Sequence, residues 1–125
     1  MTDKLTGNDM SDCIFCKIVA GEIPAKKCYE DDLVVAFHDI HPLRPTHVLV
    51  IPRKHITSLA HADAEDEPVL GRMLSIAQKL AAENGSGDGF RCIINTGRVG
   101  GQEVPHLHLH ILGGPNPVGP MVTKI

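Results

Sequence analysis

The 125-residue sequence lacks several features that define broad classes of protein. It has no excess of positive charge: 12 Lys and Arg stand against 15 Asp and Glu, for a net charge of −3. That removes the electrostatic case for nucleic acid, or for an anionic membrane surface, as a partner. It has no apolar run near the ~18 residues that a spanning helix needs, so no membrane segment is expected. The stretch MTDKLTGNDMSD is polar and lacks the apolar region of a signal peptide. These absences lead us to expect a flexible arm over residues 1–11 and a cytoplasmic location. No internal repeat or interdomain linker is visible. The glycine-rich GSGDG lacks the Lys-Ser/Thr of a phosphate-binding P-loop. Length and a hydrophobic content of 42% suit one compact domain with one core.

Cysteine is also sparse, at positions 13, 16, 28 and 92. In a cytoplasmic chain these read as thiols rather than disulfides. Cys28 and Cys92 fall in apolar, strand-like segments and read as core fillers. Cys13 and Cys16 form a C-x-x-C, the spacing of half a zinc site and a weak signal by itself.

Turn and periodicity signals then give an α+β domain. A short helix over IFCKIVA is capped by Ser11 or Asp12 and stopped by Gly21. CYEDDLVVAFHDI reads as a hairpin around Glu30-Asp31-Asp32, and THVLVIP as a third strand closed by Pro52. From Asp66 to Asn84 the period becomes helical: Val69, Met73, Ile76 and Leu80 recur, with Pro68 in the first turn and Gly85 at the stop. FRCIIN is a fourth strand, TGRVGGQE a glycine-rich turn, and HLHLHIL a fifth strand that starts at His106, because proline is confined to strand starts or edges. The expected architecture is a five-stranded, mostly antiparallel sheet with one long and one short helix. A sheet this small leaves edges and a one-sided core, so a homodimer is expected.

On a strand, alternate side chains share a face. His106, His108 and His110 therefore line one side, while Leu107, Leu109 and Ile111 pack on the other. Such a row fits a half-exposed strand, a metal site or a catalytic site. Buried imidazoles in line need a hydrogen-bonding network, which disfavours the first reading. Three imidazoles without a nearby carboxylate make an incomplete metal set. Catalysis fits best: a neutral imidazole is a competent nucleophile near pH 7. Its other nitrogen must be held in one tautomer by a carbonyl or carboxylate, and the turn GRVGGQEV offers both carbonyls and amide N–H groups.

HLHLHIL matches the His-x-His-x-His-apolar-apolar pattern of the histidine triad (HIT) superfamily. CIFCKIVAGEIPAK, AFHDIHPLRPTHVLVIPRKHI and INTGRVGGQEVPHLHLHILGG resemble its nucleotide-binding branch, the purine nucleoside phosphoramidases, in order and spacing. The resemblance implies a HIT domain over residues 12–115, followed by a tail over 116–125. It implies that His108 is the nucleophile, with His110 beside it on the phosphate and His106 and His47 in a polar relay. Gly101 would give its carbonyl to His108. Asn95 and the Val104 amide would lie by the phosphate or leaving group. Asp39 would accept the ribose hydroxyls. Phe15, Ile18, Phe37, Ile40 and Leu49 would form the purine slot, although each apolar residue alone reads equally as core.

Two departures stand out. Glu103 sits where some members carry a serine facing the phosphate or leaving group. Pro105 replaces an aromatic residue often found before the first histidine. Some members hold structural zinc with a cysteine pair and two histidines, positions that correspond here to Cys13, Cys16, His55 and His106, so a structural zinc enters as an alternative role for His106. The expected activity is hydrolysis of P–N and acyl-adenylate bonds in purine nucleoside 5′-monophosphate derivatives, with AMP or GMP as product and no cofactor required for the chemistry. The alternatives are a dinucleoside polyphosphate hydrolase, or a regulatory protein that binds nucleotide or zinc without turnover.

Overall fold

The computed structural model of the protein describes residues 12–120. The arm expected at 1–11 and the tail residues 121–125 lie outside the described residues. The elements are α1 (Ile14–Val19), β1 (Lys27–Glu30), β2 (Val34–His38), β3 (Thr46–Pro52), α2 (Glu67–Ser75), α3 (Ala77–Glu83), β4 (Phe90–Ile93), α4 (Gly97–Gly100) and β5 (Leu109–Gly113). The strands form one antiparallel sheet in the order β1-β2-β3-β5-β4. The α+β architecture is the expected one.

Strand alternation divides the core between the two faces of the sheet. Val34, Ala36, Val48, Val50, Leu107, Leu109 and Ile111 meet Val69, Met73, Ala77 and Leu80 of the long helix. Each fully buried Val, Leu, Ile or Met among them contributes roughly 1.5–3 kcal/mol, and the alanines less. On the opposite face Val35, Phe37, Leu49 and Ile51 pack against Cys13, Phe15 and Ile18 of the short helix region. The long helix is bent: α2 and α3 meet at Ile76, where φ is −87° and ψ −5°. The main chain continues across the bend through Ile76 N–H to Arg72 O at 3.2 Å and Leu80 N–H to Ile76 O at 3.0 Å. Gly85 ends the helix at φ +94°, in the left-handed region that favours glycine.

Several local expectations are corrected. The cap of α1 is Cys13, whose Sγ accepts from Cys16 N–H at 3.3 Å, and not Asp12; Ser11 lies outside the described residues. The fifth strand begins at Leu109 rather than His106, because Leu107 N–H is engaged by Ile56 O at 2.7 Å and leaves the ladder to a non-strand partner. The glycine turn contains a short helical turn, α4. Cys92 is exposed, since β4 is a sheet edge; Cys28 is half-buried and packs on the helix-side core. Two arginines hold the start of the C-terminal segment: Arg44 donates to Val118 O at 2.9 Å and Arg91 to Gly119 O.

Candidate active site

The chain immediately before β5 carries His106 and His108 onto the α1 side of the sheet, and β5 itself carries His110. His106 and His108 are buried, and His110 is half-buried. Leu107, Leu109 and Ile111 pack into the core on the other side, as alternation requires. Phe15 of α1 sets its ring edge-on to both His106 and His108, at centroid distances of 5.8 and 5.2 Å. The rings of His108 and His110 lie 5.0 Å apart.

Hydrogen-bond partners fix the tautomer of each imidazole. Nδ1 of His108 faces the carbonyl of His106 at 2.8 Å and must carry the proton, so Nε2 keeps its lone pair. Nδ1 of His47 accepts from Leu43 N–H at 3.1 Å, so its Nε2 is the donor. That Nε2 faces Nδ1 of His110 at 2.9 Å and Oδ2 of Asp39 at 3.4 Å. Nδ1 of His110 is then an acceptor, and its Nε2–H is left to donate outward. One nitrogen with a lone pair and one N–H donor thus sit on neighbouring rings. This pair is suited to attack on phosphorus and to holding a phosphoryl oxygen.

Burial keeps these rings neutral, because an imidazolium loses more hydration than an imidazole. It holds His108 below the usual histidine range. His110 falls to about 4, through burial first and then repulsion by His108 and His47. Burial also lowers His47, against the opposing field of Asp39.

His106 faces away from this pair. Its Nε2 meets Pro52 O at 2.9 Å, which leaves the Nδ1 lone pair facing Cys13 Sγ at 3.3 Å and Cys16 Sγ at 3.5 Å. Cys16 Sγ is also 3.2 Å from Nδ1 of His55. One donor atom from each of Cys13, Cys16, His55 and His106 lies within 4.8 Å of the others. The relay role expected of His106 is therefore not what its ring does here. Burial, with Cys13 beside it, pushes the Cys16 thiol up to about 12. Two thiols and two imidazoles converging in a partly dry site are a donor set that a soft divalent cation would ionise and satisfy.

The other expected residues divide. Phe15, Ile18, Phe37 and Leu49 share the α1-side cluster, with Val104 against it. Ile40 does not join them: it lies in the β2–β3 loop and is 83% exposed, since β2 has already ended at His38. Asp39, in the same loop, accepts from His41 N–H at 2.8 Å through Oδ1. Asn95 follows β4 and is half-buried beside the α4 turn, close to Gly100. Gly101 is the left-handed cap of α4 at φ +77°, and its carbonyl does not hold His108; the carbonyl two residues before the nucleophile does. Glu103 is exposed. Sequence reasoning missed Gln102, whose amide bonds Gly97 N–H, Thr57 O and Val104 O. A glutamine inside a glycine-rich turn, with both donor and acceptor ends, was the available signal.

The family model for the HIT domain matches residues 20–116. The chain belongs to the HIT domain family. It is 51% identical over 111 residues to a purine nucleoside phosphoramidase of Escherichia coli (strain K12), a match that covers 88% of this chain and 92% of that protein. Among solved structures it resembles a HIT family hydrolase from Legionella pneumophila, with TM-score 0.80 and 46% identity over 84% of this chain and 95% of that one. It also resembles a Zn-bound histidine triad family protein from Mycobacterium smegmatis, with TM-score 0.74 and 35% identity over 86% of this chain and 78% of that one.

Proposed function

We propose that this HIT protein is a purine nucleoside phosphoramidase that works through a nucleotidyl-His108 intermediate. The observation that carries the reading is the pinning of His108 Nδ1 by the His106 carbonyl, which leaves a neutral Nε2 free to attack. Nε2 bonds to phosphorus as the P–N bond to the leaving amine breaks, and the amine takes a proton from solvent water as it departs. Water then attacks the same phosphorus, the bond to His108 breaks, the attacking water's proton goes to solvent, and the nucleoside monophosphate is released. His110 Nε2–H holds a phosphoryl oxygen through both steps. Asp39 receives the ribose, and the α1-side cluster around Phe37 and Leu49 receives the purine. The same two displacements cleave an acyl-adenylate, with a P–O bond breaking and a carboxylate leaving in place of the amine.

The experiment is turnover of a fluorogenic adenosine phosphoramidate together with mass spectrometry of quenched enzyme. A nucleotide adduct on His108 is expected. Turnover without that adduct in rapid quench, undiminished in His108→Ala, would refute the mechanism. Faster cleavage of dinucleoside polyphosphates than of phosphoramidates would favour a polyphosphate hydrolase.

We also propose that Cys13, Cys16, His55 and His106 hold a structural zinc. Four protein donors would leave no position for water, so the metal would stiffen α1 and the His106 backbone without entering the reaction. Cysteines kept reduced for that role suit a reducing compartment such as the cytoplasm. The homodimer belongs to the same proposal. Its support is the position of β4 at a sheet edge, unpaired among the described residues, and light scattering measures it.

A further inference from the structure

We propose that Gln102 is a positioning residue for the reaction: it locks the loop between α4 and the histidines so that His108 is aimed before substrate arrives. This rests on the phosphoramidase reading above. The residue touches no reacting atom; it acts through the main chain.

The geometry runs in connected steps. Gln102 and Gly97 clasp each other twice: the backbone N–H of Gln102 donates to Gly97 O at 3.0 Å, and Gln102 Oε1 accepts from Gly97 N–H at 2.9 Å. Gly97 has φ +66°, so this clasp closes a turn that few other residues would adopt. At the other end of the same side chain, Nε2 donates to Thr57 O at 2.7 Å and to Val104 O at 2.9 Å. One N–H donor and two carbonyl acceptors surround the amide, which fixes its orientation without ambiguity.

Val104 O is the point of transmission. It accepts from Gln102 Nε2 and also from His106 N–H, at 2.8 Å. Between them lies Pro105, with a fixed φ and no N–H, which also restricts Val104 to extended backbone. The Val104–Pro105 peptide is thus held from both sides. His106 follows directly, and its own carbonyl holds Nδ1 of the nucleophile. The neighbouring contact Leu107 N–H to Ile56 O, at 2.7 Å, ties the same stretch to the Ile56–Thr57 segment that Gln102 grips. A hydrogen-bonded route therefore leads from the Gln102 amide through Val104 O, the His106 backbone and the His106 carbonyl to the ring of His108.

No other side-chain type of this length supplies both ends. Glutamate would keep the acceptor for Gly97 but turn an anion on two carbonyls. Methionine keeps the shape and supplies neither end.

The test compares wild type with Gln102→Met and Gln102→Glu, with Gln102→Ala as a further variant, in the full chain. The readouts are kcat and KM on an adenosine phosphoramidate, AMP affinity, and amide hydrogen exchange at Gly97 and His106. A misaimed nucleophile costs about 100-fold in rate. We therefore expect kcat to fall by about that factor while KM and AMP affinity stay within about threefold, because the nucleoside is held by other elements. The Gly97 and His106 amides should exchange at least about tenfold faster in folded Gln102→Met, while β3 amides keep their protection. A folded Gln102→Met with kcat within about threefold of wild type overturns the proposal, as does a loss confined to KM. If wild type cleaves no phosphoramidate, the functional reading falls by itself. The exchange at Gly97 and His106 then decides the loop-locking role alone: unchanged protection overturns it, and selective loss upholds it.

Discussion

Nδ1 of His108 donates its hydrogen bond to the main-chain carbonyl of His106, the residue whose own Nδ1 faces Cys13 and Cys16. One residue therefore aims the nucleophile with its backbone and closes the cysteine cluster with its ring. The two buried histidines have different jobs because they point to different partners, even though alternation puts both on the same side of the sheet.

His108→Ala removes the ring whose Nε2 is left with a free lone pair beside the N–H donor of His110. Turnover of an adenosine phosphoramidate should fall by at least about 10⁴-fold, as for loss of a covalent nucleophile. AMP binding should persist, because the proposed ribose residue, Asp39, lies in the β2–β3 loop and the proposed purine slot in the α1-side cluster, rather than on the His108 ring. Isothermal titration and a fluorogenic assay on the same preparation check both halves. Residual turnover above about a tenth of wild type would remove His108 from the mechanism.

His110 makes stability depend on pH. Its folded-state value, about 4, lies below the ordinary histidine value of about 6.5. Between those values the unfolded chain binds a proton that the folded chain refuses, so stability rises with pH in this window and is lost as pH falls. The contribution of this ring is on the order of 2 kcal/mol across the window. Denaturant melts of wild type and His110→Gln between about pH 7 and pH 4 measure it. The variant should show a slope shallower by up to one proton, and identical slopes would refute the assignment to His110.

The sequence carried the strands, the long helix and the face assignment of the triad because these follow from periodicity and turn residues alone. Val48, Val50, Leu109 and Ile111 had to share a side once alternation was granted. What periodicity could not reach was set by contacts between distant segments. Leu107 N–H turns to Ile56 rather than to a strand, which shortens β5. The carbonyl that holds His108 is two residues away in the chain rather than in the glycine turn, a choice decided by how the Val104–His106 segment packs. Ile40 is apolar yet exposed because the chain leaves the sheet after His38. The Cys13, Cys16, His55 and His106 grouping was within reach only through family resemblance, since 93 residues separate Cys13 from His106.

Asp31 should be a stability residue with no part in turnover. It accepts from Tyr29 OH at 2.7 Å, from Leu33 and Val34 N–H at 2.8 and 2.9 Å, and pairs with Arg72 of α2, so it ties the β1–β2 hairpin to the long helix. Burial pushes its carboxyl up, but these donors outweigh burial and hold it well below the usual carboxylate range. The contribution is therefore present above the ordinary value of about 3.9 and is lost as pH falls below it. Asp31→Ala strands two backbone donors and should cost about 2–3 kcal/mol, and Asp31→Asn, which keeps an acceptor, should cost less. Thermal melts check the order, with kcat at permissive temperature unchanged. A larger loss in Asp31→Asn than in Asp31→Ala would overturn it.

Cys13 has two separable roles, and Cys13→Ser distinguishes them. Its sulfur caps α1 through Cys16 N–H and also faces His106 Nδ1. A serine hydroxyl caps a helix at least as well, so the cap survives the substitution. The same hydroxyl is a poor zinc ligand beside a thiolate, so a metal role does not survive. Protein made without a histidine tag in zinc-replete cells should carry about one zinc per chain, against well under one in Cys13→Ser. The variant should also melt several degrees lower, because the lost metal had stabilised the folded state by mass action. If Cys13→Ser and wild type both lack zinc and melt together, the cluster is only a cap and three thiol–imidazole contacts.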